Sequence, residues 1–119
     1  MRTIMTSKQR LSLALLCIAS AISTSTLAAS QAQQQAIERL GRLNGTALHC
    51  SYFDETQRLK EAMVATVPKV RALGALFEEA TNQSFMREVA NKSVCPNRGE
   101  FAGQVSAGIK NLKNAFPQQ

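Results

Sequence analysis

From residue 36 to residue 116 the apolar side chains return every third or fourth position, and no stretch shows convincing alternation in twos. Spacings of three and four collect side chains on one side of a 3.6-residue helix, whereas a half-buried strand needs a period of two. The chain is therefore expected to be all-α. The first helix is expected over about 33–51, with Ala36, Leu40, Leu43, Ala47 and Cys50 on one face and Glu38 placed to pair with Arg42. At Gly41 and Gly45 it is weakened. Either Asn44-Gly45 breaks it, or the small residues let another helix approach closely. A second helix is expected from Asp54, with Gln57 in a capping-box-like position. It presents Leu59, Met63 and Val67, with Ala62 and Val64 beside them, until Pro68 ends or kinks it. The third is expected from Pro68 to about Ala90, proline suiting a first helical position. Its stripe is Val70, Leu73, Phe77, Ala80 and Ser84, flanked by Leu76, Phe85 and Val89. A loop over 91–96 carries Cys95. Asn97 then caps a last helix with Phe101, Val105, Ile109, Leu112 and Phe116 buried and Pro117 as its stop. The expected fold is a small antiparallel bundle of about four helices.

The bundle is expected to follow a cleavable leader over 1–29, leaving 30–119 as a single helical domain. Arg2, Lys8 and Arg10 precede an apolar run over 11–22 and a small-residue stretch ending Thr26-Leu27-Ala28, the order of a secretory signal peptide. The apolar run is too short for a bilayer anchor, which takes about 20 residues. Cys17 inside it follows the bulky Leu16, which disfavours lipidation, so Cys17 is expected to leave with the leader. The destination is the periplasm or the exterior, with no stable membrane insertion after cleavage.

Removing the leader changes both charge and cysteine count. The whole chain carries a formal charge of +6. Without the leader the excess falls to about +3 with no basic run. The densest group, Arg58, Lys60, Lys69 and Arg71, has Glu55 and Glu61 mixed in and reads as a solvated face. Nucleic acid is not an expected partner of an exported protein with this charge. Cys50 and Cys95 remain, and two cysteines in an exported domain allow one disulfide. Closing a loop of about 45 residues contributes ~4 kcal/mol on the chain-entropy model.

No residue pattern supplies a catalytic centre, a cofactor site or a metal site. His49, the only histidine, adjoins Cys50. A His-Cys catalytic pair fails if Cys50 is bonded, because the nucleophile must be a free thiolate, so His49 is expected to be half-buried near Phe53. Haem would need axial ligands, for which His49, Met63 and Met86 are available, but no C-x-x-C-H is present and methionine on an apolar face is ordinarily core. Glu78 and Glu79 are adjacent and diverge by about 100° on a helix, which argues against a carboxylate pair. The sequons at Asn44, Asn82 and Asn91 are read as incidental.

In layout the chain is similar to the small periplasmic acid-stress chaperones: Cys50 is followed by Phe53, and Cys95 by a helix with Phe101, Val105 and Ile109. That resemblance implies a chaperone's action. Periplasmic immunity proteins that block cell-wall enzymes share the same description. The expected function is non-catalytic binding of another protein, the alternatives being an acid-stress-type chaperone and a bundle holding haem or a small ligand.

Overall fold

A computed structural model of the chain describes residues 29–117. The expected leader lies outside the described residues, Ala29 excepted. The described part holds four helices and, within it, no strand: α1 (Gln31–His49), α2 (Phe53–Thr66), α3 (Arg71–Asn91) and α4 (Arg98–Ala115). Side-chain contacts give their directions. Gln33 at the start of α1 donates to the Ala115 carbonyl at the end of α4, and the Tyr52 ring just after α1 packs at a tilt against Phe101 near the start of α4. These two helices are antiparallel. Gly41 meets Phe77 and Ala80, Gly45 meets Ser84, and Thr46 bonds Glu88, so α1 and α3 run parallel. Asp54 bonds Arg98 and Arg58 bonds Ser106, so α2 and α4 also run parallel. The bundle is thus up-down-up-down, as its short connections require.

The four helices do not share one central core equally. α1 is the hub and packs on each of the other three, whereas α3 approaches α1 alone. For this reason α1 buries more of its circumference than a single stripe. Ala36, Leu40 and Ala47 are buried as expected, but so are Ile37, Gly41, Asn44 and Gly45. Asn44-Gly45 does not break α1. A Cβ on Gly41 would stand 2.6 Å from both the Phe77 carbonyl oxygen and Ala80 Cβ, and one on Gly45 2.6 Å from Ser84 Cβ. The glycines are where two helix backbones come together, the second of the two outcomes their sequence allows. Ser84 Oγ donates to the Arg42 carbonyl (3.0 Å) and Thr46 Oγ1 to Glu88 Oε1 (2.8 Å), completing a partly polar seam. On the other side Ile37, Leu40, Leu59, Phe101, Val105 and Leu112 are fully buried and form the apolar core.

Helix ends depart from expectation in three places. α1 closes at His49, two residues early, because Ser51 takes φ 58° and the Tyr52 N–H turns back to the Ala47 carbonyl (2.8 Å). α2 begins at Phe53 with Tyr52 as its cap residue and no side-chain cap. Asp54 falls inside the first turn and pairs with Arg98 instead of capping. α3 begins at Arg71 rather than Pro68. The Val70 N–H bonds the Pro68 carbonyl (2.7 Å) in a tight turn, and Val70 is extended and exposed. Pro68 does terminate α2, with Val67 extended before it. Asn97 caps α4 as expected, accepting from the N–H groups of Gly99 and Glu100. Among the described residues no helix is long and apolar enough to cross a membrane.

Candidate binding cleft

The end of the bundle that holds the cysteines is tightly cross-linked. α3 ends with Lys92 in the left-handed region (φ 51°), which sends the following loop back across α1. Cys95 on that loop is bonded to Cys50, with Cα atoms 5.6 Å apart. The Tyr52 hydroxyl donates to the Pro96 carbonyl (2.7 Å), and the Arg98 guanidinium lies 4.5 Å from the centre of the Tyr52 ring. His49 is half-buried as expected, but its partner is not Phe53, which is exposed. His49 Nε2 donates to the Ser93 carbonyl at 2.9 Å. One ligand atom each from His49, Cys50 and Cys95 falls within 4.8 Å of the others. The two sulfurs are bonded to each other, so neither presents the thiolate that metal ligation or nucleophilic attack requires. In this state the corner is a structural clamp.

Open space in the molecule lies elsewhere. Because α3 approaches α1 alone, a cleft of about 780 Å³ remains between α2 and α3. Its floor is Asn44 and Leu48 of α1. Met63, Val64 and Val67 of α2 form one wall, and Gly74, Phe77 and Thr81 of α3 the other. The Pro68 connection closes one end. Lys60, Lys69 and Arg71 also line it, against a single acid, Glu78. Lys69 Nζ donates to the Val64 carbonyl (3.0 Å), which holds its ammonium over the end of α2. Among the described residues no carboxylate lies within ion-pair distance of Lys60, Lys69 or Arg71.

Asn44, in the floor of the cleft, has a buried side-chain oxygen without a donor among the described residues. The Thr81 hydroxyl donates to the Phe77 carbonyl (2.8 Å), which leaves its oxygen to accept, and Asn44 Nδ2 donates to it at 3.2 Å. This chain of donors sets the amide orientation. Asn44 is 2% exposed, and its Oδ1 has no donor. A buried acceptor left in this way costs the fold about 1–3 kcal/mol.

The sequence named three of these cations but grouped them with Arg58. The structure separates them. Arg58 turns away to Glu55 (2.7 Å) and to Ser106 of α4 (2.8 Å), while Lys60, Lys69 and Arg71 border the cleft. Of the three residues weighed as haem ligands, Met63 alone lines the cleft. Met86 is exposed on α3, and His49 is at the disulfide corner. The sequence marks Asn44 as part of a sequon and, with Gly45, as a candidate helix break; its burial removes it as a glycan acceptor. Nothing in the sequence marked it as a cleft residue, since that role depends on where α3 crosses α1.

Comparison with protein-family models, with curated proteins and with solved structures finds no match. The likeness in layout to the acid-stress chaperones therefore rests on the cysteine and aromatic spacing alone, and function is argued from the cleft.

Proposed function

We propose that this is an exported, non-catalytic protein that binds another protein in the cleft between α2 and α3. The observation that carries the reading is the combination at one place of apolar walls and three cations without carboxylate partners among the described residues. Export is supported by the leader pattern in the sequence and by a disulfide, a bond that persists in oxidising compartments. The periplasm is the destination a leader of this kind implies.

A substitution that fills the cleft without touching the core tests the reading. A Cβ at Gly74 meets nothing within 4 Å. Gly74→Leu is therefore expected to leave the fold intact and to block the cleft. Cross-linked complexes recovered from a periplasmic extract should contain one partner at stoichiometric level with the native chain and lose it with Gly74→Leu. Equal recovery with both chains would reject the cleft as the docking site. Recovery of many unrelated proteins, increasing at low pH, would instead favour the chaperone reading. A small apolar ligand is the second reading, favoured by a cleft volume within the range of small-molecule sites. Native mass spectrometry of the purified protein would reveal such a ligand as a constant added mass.

A further inference from the structure

We propose that the element received by the cleft is an acidic amphipathic α-helix that seats a small residue on Gly74. The inference rests on the reading of the cleft as a protein-docking site and specifies the chemistry of its occupant. Three observations lead to it.

The first is the contrast among glycines. Gly41, Gly45 and Gly108 are places where a Cβ would collide with a neighbouring helix of this chain. Gly74 is equally helical, yet among the described residues nothing lies within 4 Å of where its Cβ would stand. A glycine inside a helix weakens it relative to alanine, so one that no internal contact requires is unfavourable for folding. Gly103 also faces open space but is not part of this cleft; Gly74 is part of its wall. A backbone approaching there would do what α3 does at Gly41 and Gly45.

The second is the shape of the site. Two helices form its walls and a third its floor, which is the surface a further helix packs on. A helix satisfies its own backbone groups and enters an apolar trough without loss. A β-strand would need a sheet edge to pair with, and the described residues contain no strand.

The third is charge. Lys60, Lys69 and Arg71 have no carboxylate partner among the described residues, and Glu78 is the one acid in the lining. A helix with carboxylates flanking its apolar stripe meets them, whereas a basic one is repelled.

Two displayed libraries of amphipathic helices decide the matter, one with acidic and one with basic flanks, both with the same randomised apolar positions. They are selected against the exported full-length product. Enrichment of acidic helices with a small residue in the stripe supports the inference, provided that affinity falls at least tenfold with Gly74→Leu and with Lys60→Glu plus Arg71→Glu. Enrichment of basic helices, or of neither library, overturns it. So does saturable binding of a long-chain carboxylate that Gly74→Leu abolishes, which would assign the same cations to a lipid-like anion. Loss of the extract partner with Gly74→Leu while neither library enriches overturns the helix and leaves protein docking standing. No partner and no enrichment removes both.

Discussion

Glycine has opposite meanings at two positions of this chain, and the difference is measurable. At Gly41 an added methyl group would meet the Phe77 carbonyl oxygen and Ala80 Cβ, one of them backbone that cannot turn aside. Gly41→Ala is expected to push α3 off α1 and to cost about 1–3 kcal/mol, the range of an overpacked core. At Gly74 the same methyl group meets open space. Gly74→Ala is expected to raise stability by about 0.5–1 kcal/mol through helix propensity alone. Urea denaturation of the two variants beside the native chain checks both signs. A neutral Gly41→Ala would mean that α3 rides more loosely on α1 than the contacts imply.

Each helix draws its stability from what covers it, and the coverage is uneven. α1 is packed by three helices, while α3 rests on α1 across a seam of glycines, Ala80, Thr81 and Ser84. Hydrogen exchange is therefore expected to be slowest in α1 around Leu40 to Ala47 and faster along α3, whose outward residues Met86 and Val89 are exposed. Slower exchange in α3 than in α1 would contradict the hub arrangement. The disulfide acts at the same scale, by tying the end of α1 to the loop between α3 and α4. On the chain-entropy model it is worth about 4 kcal/mol, equivalent to about 20 °C in Tm for a domain of this size. Cys50→Ala with Cys95→Ala should lower Tm by that amount and leave helical circular dichroism at low temperature nearly unchanged. Two free thiols in protein taken from the periplasm would remove the bridge from the functional state.

At the level of the whole molecule, the start of the mature chain and the start of the fold are expected to coincide. Ser30 caps α1 in a reciprocal box with Gln33, and Gln34 Nε2 donates to the Ala29 carbonyl (3.0 Å). Ala29 also packs against the core. Cleavage after Ala28 keeps all three contacts. A cut after Ala29 would remove that carbonyl and set a positive amine at the positive end of the α1 dipole. Intact mass of the exported protein is expected to correspond to a chain beginning at Ala29. Retention of Met1 in a membrane fraction would overturn the assignment of export.

What the sequence by itself determined was local. The 3–4 spacing gave four helices, and Asn97 and Pro68 marked a start and a stop that the structure keeps. The two cysteines outside the expected leader gave the one disulfide. Each of these depends on residues within a few positions of one another, or on a pairing with no alternative. Tertiary structure decided the rest. Periodicity identifies the most apolar face of a helix but does not count how many neighbours cover it, so it missed Ile37 and Asn44 on the hub helix. The choice at Asn44-Gly45 between a break and a close approach fell to α3, 36 or more residues away. The cleft follows from the same cause: α3 is held by the glycine seam to α1 and leaves α2 unpaired on that side. Separating Lys60, Lys69 and Arg71 from Arg58 likewise required the position of α4, because a charge's role is set by what it faces in space rather than by what adjoins it in the chain.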